Sequence, residues 1–169
     1  MVIVYCSEKL KDFLRFPVQK AEIRGIHEEW NGHLFYINGR KCIIFMHKET
    51  LYTIVLFDIL KKDLVNFHQV FVDSLVNQLY LDKILDSKDE TKVRNIYSRV
   101  CLRSTDNDRK VIGSINDTVW RISYHQTGGE NFLAAAKEYV SNYVNETPMS
   151  AIKYEYPKVL MKERMSANQ

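Results

Sequence analysis

The chain has 169 residues, of which 46% are hydrophobic and 27% charged, and 24 Lys and Arg against 21 Asp and Glu leave a formal charge of +3. Six Gly and three Pro exclude collagen-like and low-complexity chains. A sequence pI near 8.7 falls short of the basicity expected of a dedicated nucleic-acid domain. This length accommodates one domain, expected over residues 1–165, with a frayed tail at 166–169.

Val2 to Tyr5 reads as a short strand. It lacks a basic leader and meets Ser7-Glu8-Lys9 at once, unlike a signal peptide. Ser7 is placed as an N-cap, and Leu10, Phe13 and Leu14 have the spacing of one helical face, redirected at Pro17. Val18 to Ile26 fits a loose helix or an irregular connection.

Leu34 to Ile37, Asn38-Gly39 and Cys42 to Met46 then form a hairpin signature, because a type I′ turn needs two residues at positive φ. After a turn at 47–50, Leu51 to Phe57 supplies a third strand. These strands are apolar almost without alternation, so both faces of the meander are expected to be covered, by helices or by a second subunit. Leu64, Phe67, Phe71, Leu75 and Leu79 step by three or four and predict a long helix over 62–80.

A shorter helix is expected around 89–98, and a strand at 99–104. A helix over 108–124 is expected to be capped by Asp106 or Asp108, with Gly113 marking a close backbone approach. Another helix begins near Phe132 after the break at Gly128-Gly129. Ile152 to Tyr156 reads as a late strand, and Val159 to Met165 as a terminal helix. The expected class is α+β: a small, mostly antiparallel sheet built on the 34–57 meander and packed by several helices. No stretch approaches the length of a membrane span, and a cytoplasmic protein is expected.

Cys6, Cys42 and Cys101 are widely separated, form no C-x-x-C pair and lie in apolar runs, so reduced, buried thiols are expected. His27-Glu28-Glu29 lacks the second histidine of a helical zinc pair, since position 31 is Asn31, and no metal or cofactor is assigned. Glu28-Glu29 and Asp89-Glu90 read as solvated or capping positions. Among the histidines, His68 borders the apolar stripe of the long helix, and His125 stands alone. Gly128-Gly129 and Gly113-Ser114 lack the patterns of a phosphate loop and of a nucleophile elbow.

From Lys92 to Arg121 there are seven basic residues and three acidic ones. Together with the hairpin cations, Arg40, Lys41, Arg99, Arg103, Arg109 and Lys110 are the candidate binding face of a non-enzymatic module, for nucleic acid or an acidic protein. A second reading is an enzyme with a site near Trp30, His33 and His47, joined by Glu28, Glu29 and Cys42. Its criterion is that two of these groups meet within hydrogen-bond reach in a cleft. A third reading is a homodimer that covers the second apolar face.

Arg103-Ser-Thr-Asp-Asn-Asp-Arg-Lys-Val-Ile-Gly-Ser-Ile-Asn-Asp117 resembles the K-T-x-x-R-S-v-l-G-s-l-N-d segment of an uncharacterised bacterial domain-of-unknown-function family. Val2-Ile-Val-Tyr-Cys-Ser-Glu-Lys-Leu10 is similar to that family's strand followed by C-T-K-K-L, and Trp30, Asn38, Arg40, Lys41 and Thr50 fall on its meander. Thr147-Pro-Met-Ser150 and Tyr154 to Pro157 look like its tail. The resemblance implies a small α+β protein, sometimes encoded near mobile-element genes, with no known activity to carry over. Asn31-Gly-His33 and Arg103 depart from the family pattern.

Overall fold

The computed structural model describes residues 1–15, 28–124 and 131–167. The expectations for Pro17, Val18 to Ile26, His27, His125 and Gly128-Gly129 lie outside them. In chain order the elements are β1 (Val2–Cys6), α1 (Glu8–Leu14), β2 (Glu28–Ile37), β3 (Arg40–His47), β4 (Thr53–Leu56), α2 (Phe67–Leu81), α3 (Glu90–Ile96), β5 (Val100–Ser104), α4 (Arg109–Tyr124), α5 (Phe132–Asn142) and α6 (Pro157–Ala167).

The five strands form one sheet in the order β4-β3-β2-β1-β5. The meander is antiparallel, with Ile37 opposite Arg40 across the Asn38-Gly39 turn, where both residues have positive φ (44° and 78°). β1 instead runs parallel to both of its neighbours, pairing Val2 with Glu28 and with Val100. The class is α+β as expected, but the sheet is mixed: two ladders are antiparallel and two parallel. Parallel neighbours need long crossovers, and no turn signal announces them in the sequence.

Both faces of the sheet are covered by helices of the same chain, which explains the apolar strands without a second subunit. On one face Val4, Trp30, Phe45 and Ile54 pack with Leu10 of α1, with Phe67, Phe71, Leu75 and Leu79 of α2, and with Met161 of α6. On the other, Cys42, Ile44 and Met46 pack under Val111, Ile115 and Ile122 of α4 and Ala136 and Val140 of α5. Gly32 is required where β2 passes under α1. A Cβ there would lie 2.9 Å from Leu10 Cδ2 and 3.0 Å from the Phe45 ring, and both side chains are fully buried.

Ser7 caps α1, its Oγ accepting the Leu10 N–H at 3.4 Å. At α4 it is Asp108 rather than Asp106 that caps, accepting the N–H groups of Lys110 and Val111 at 3.0 and 3.2 Å. The edge strand β4 is blunted by Asn145, whose carboxamide accepts from Thr53 N at 2.8 Å and donates to Thr53 O at 3.0 Å, as a neighbouring strand would. The same amide nitrogen donates to the buried Asp82, which also accepts from Tyr52 at 2.5 Å.

Two local expectations are corrected. Residues 152–156 are not a strand: Ser150–Ile152 is a 3-10 turn, and Lys153 and Tyr154 are both left-handed (φ 58° and 65°), which breaks extension after a single bridge between Met149 and Glu155. Gly113 is no close approach, since an added Cβ would meet nothing within 4 Å. The C-terminal helix runs from Pro157 through Ala167.

Candidate functional site

The expected acid–base site is assembled, but it is closed. β2 begins at Glu28, six residues before the expected strand, which turns Glu28 into the core beside β3. His47 ends β3 opposite Trp30. Glu28 is therefore a correction: it is 4% exposed rather than solvated, because His47 Nε2 lies 2.9 Å from one carboxylate oxygen and Arg164 of α6 grips both, at 2.8 and 3.2 Å. Burial would raise the Glu28 carboxyl, but the hydrogen bonds from His47 and Arg164 outweigh it and hold it down at about 2.

His47 Nδ1 accepts the Thr50 N–H at 3.2 Å and lies 3.0 Å from Thr50 Oγ1, so the proton sits on Nε2, facing Glu28. Glu28, His47 and Thr50 thus follow the order of an acid, a base and a hydroxyl. His47 and Thr50 are 1% and 4% exposed, and Met161 and Arg164 of α6 lie over them. Two of the proposed catalytic groups meet, in the packed core rather than in a cleft. Here they clamp the C-terminal helix to the first residue of β2, and Arg164 is further tied to Glu49. Trp30 is fully buried against His47, Phe71 and Tyr97. His68, at the border of α2, bonds Tyr97 O at 3.0 Å.

His33, Asn31 and Glu29 point to the opposite face of β2 from Glu28, as the two-residue period of a strand demands. There Lys48 Nζ joins Asp106 at 2.6 Å, Glu29 at 3.2 Å and Asp108 at 3.7 Å, while Tyr5 donates to Glu29 at 3.1 Å and Asn31 to Asp106 at 3.0 Å. Burial would lower the Lys48 ammonium, but Asp106 and Glu29 raise it above the usual lysine value, and they fix it as a cation. The 105–108 loop is thereby pinned over the sheet. Burial lowers the His33 imidazole, and neither its Nε2 nor the Asn31 carboxamide oxygen has a hydrogen-bond partner among the described residues. Cys42 is buried and bonds Arg40 O, away from both histidines.

The six candidate cations do not share one face. Arg99 lies at the Val2 end of the sheet, where its carbonyl accepts from Val2 N. Arg40 and Lys41 open β3 at the opposite end, nine strand steps or about 30 Å away. There Arg40 is paired with Asp58 at 2.7 Å and Lys41 lies over the Phe13 ring. Arg103, Arg109 and Lys110 remain together. Arg103 is in register with Tyr5 and, through it, with Asn31, which holds the loop leading into α4. Arg109 and Lys110 form the exposed first turn of α4 and make no ion pair within 4 Å among the described residues. That turn contains no acidic residue.

Topology singles out the same end. β1 sends α1 to one face of the sheet and β5 sends α4 to the other, as the packing of Leu10 and Val111 on separate cores records. In parallel sheets the crevice beside the carboxyl ends of two such strands is where ligands settle. The parallel pairing of β1 was not legible in the sequence, so neither was this divergence of α1 and α4. Among the described residues no group of three His, Cys, Asp or Glu could hold a metal ion, and no helix is long and apolar enough to cross a membrane.

A family model, Domain of unknown function (DUF6933), matches residues 3–160, and the chain belongs to that family. No curated protein and no solved structure matches it.

Proposed function

We propose that the protein is a non-catalytic binding module that takes an acidic segment of a partner protein at the start of α4, through Arg109 and Lys110 with Arg103 beside them. The observation that carries this reading is electrostatic. Two exposed cations without an ion pair among the described residues open a sixteen-residue helix at its positive end. Cations there are repelled by the helix dipole, whereas an anion is attracted by the dipole and by both side chains. Asp108 caps the backbone of this turn but pairs with neither side-chain cation, and a local rule broken in this way is expected where a surface serves a partner.

Discrete carboxylates suit this surface better than a polyphosphate. Asp106, Asp108 and Asp117 are interleaved with the cations, and a backbone carrying a charge at every nucleotide would meet them. The test is fluorescence polarisation with a labelled Glu-rich peptide and with a labelled 20-nucleotide single strand, at low and moderate salt. The peptide is expected to bind with salt-dependent affinity that is lost in Arg109→Gln/Lys110→Gln and retained in Arg99→Gln. Tighter binding of the nucleic acid would replace this reading, and binding of neither would end it.

A further inference from the structure

We infer that the groove between α4 and the 148–154 turn binds three residues of extended peptide, an aromatic side chain flanked by one acidic and one basic side chain. The inference rests on the proposed recognition of an acidic segment by Lys110 and extends it along the helix.

The groove encloses about 470 Å³. One wall is a single stripe of α4, Lys110, Gly113, Ser114 and Asp117; the other is built from Met149, Ala151 and Tyr154 of the turn. Two features of this wall pair are costly to the fold and serve nothing inside it. Gly113 stands in the interior of α4, where glycine is the poorest helix former after proline. No neighbour demands it, because an added Cβ would meet open space, and that space is the groove. Tyr154 is left-handed at φ 65°, an unusual conformation for a bulky side chain, and its ring is 72% exposed. The turn is held by bonds from Tyr154 N to Met149 O at 2.9 Å and from Met149 N to Glu155 O at 3.2 Å. Strain kept by a rigid turn to stand an aromatic ring at the rim of a groove is the kind of outlier from which a binding role is argued.

Charge and spacing choose the occupant. Lys110 and Asp117 are seven residues apart on one helix stripe, about 10 Å along the axis. Lys110 makes no ion pair among the described residues, and Asp117 is 62% exposed although it touches Arg121 at 3.0 Å. In an extended peptide, residues i and i+2 face one way about 6.6 Å apart and residue i+1 faces the other. A Glu and a Lys at i and i+2 therefore reach Lys110 and Asp117 on the helical wall. The residue between them turns its side chain to Tyr154 and Met149, and Gly113 lets the peptide backbone come close to the helix.

Polarisation titrations with labelled peptides containing Glu-Phe-Lys, Glu-Phe-Glu or Glu-Gly-Lys test this on the full chain. The native protein is expected to prefer the first. Gly113→Leu should weaken that peptide at least tenfold without lowering the melting temperature, since leucine fills the groove and favours the helix. Asp117→Lys should move the preference to Glu-Phe-Glu. Unchanged binding in Gly113→Leu overturns the groove; if Arg109→Gln/Lys110→Gln still abolishes binding, the reading of the helix start stands alone. Failure of all three peptides to bind the native chain overturns the groove, whereas the reading of the helix start falls only if the Glu-rich peptide also fails to bind. A preference for Glu-Phe-Lys that persists in Asp117→Lys overturns the pairing of the basic side chain with Asp117.

Discussion

Neutralising the first turn of α4 should make the protein more stable and less able to bind. Each cation at the positive end of a helix costs about 0.3–1 kcal/mol. Arg109 and Lys110 both stand there, exposed, and among the described residues neither side-chain charge makes an ion pair within 4 Å, although Asp108 caps the backbone of the turn. Glutamine matches both in helix propensity, so Arg109→Gln/Lys110→Gln removes the charge and little else. The double variant should gain about 1 kcal/mol at low ionic strength, which for a domain of this size is about 2–4 °C in Tm. Moderate salt should shrink the gain, because exposed charges are screened. Thermal unfolding followed by circular dichroism at two salt concentrations measures this, with the Glu-rich peptide titrated in parallel. A Tm that falls at low salt would mean that the cations are compensated within the fold, and the argument for a binding surface would collapse. A raised Tm with unchanged peptide affinity would leave the helix argument intact and refute the assignment of the partner.

Gly32→Ala should destabilise the fold by about 1–3 kcal/mol in urea unfolding, since the new methyl meets the buried Leu10 and Phe45 side chains at 2.9 and 3.0 Å. Glu28 is held down at about 2 in the folded protein, below its value in the unfolded chain. Its contribution is therefore fully present above about pH 4.5 and is lost as the pH falls towards 2. Glu28→Gln should remove that part of the acid sensitivity, read as urea midpoints at pH 6 and pH 3; an unchanged pH dependence would refute the clamp. Cys6, Cys42 and Cys101 are all buried, and burial pushes the Cys6 thiol up to about 12. No thiol should react with Ellman's reagent at pH 8 until denaturant is added, whereas rapid reaction of one in the native protein would contradict the packing.

What was legible in the sequence was local. The spacing of Phe67, Phe71, Leu75 and Leu79 announced α2, Asn38-Gly39 announced the hairpin, Ser7 announced the start of α1, and Asp106 or Asp108 that of α4, where the structure selects Asp108. In each case the periodicity or the turn chemistry acts over a few residues, so the chain carries the information where the element forms. The unbroken apolar strands of the meander likewise required cover on both faces, and α2 with α4 and α5 provides it.

Tertiary structure decided what depends on distant residues. The core position of Glu28 follows from Arg164, 136 residues away, and from His47 on the neighbouring strand. An isolated Glu-Glu pair reads as solvated because no local pattern predicts a partner that could hold a buried carboxylate. The parallel pairing of β1 with β2 and β5 likewise carries no turn signature, yet it creates the end of the sheet from which α1 and α4 diverge. The same pairing separated Arg99 from Arg40 and Lys41 while leaving Arg109 and Lys110 together on one turn. Charge excess was visible in the composition of residues 92–121; the pairs Arg94–Glu90 and Arg121–Asp117 are local i,i+4 contacts, whereas the further pairing of Arg94 with Asp73 was decided by the packing of α3 on α2.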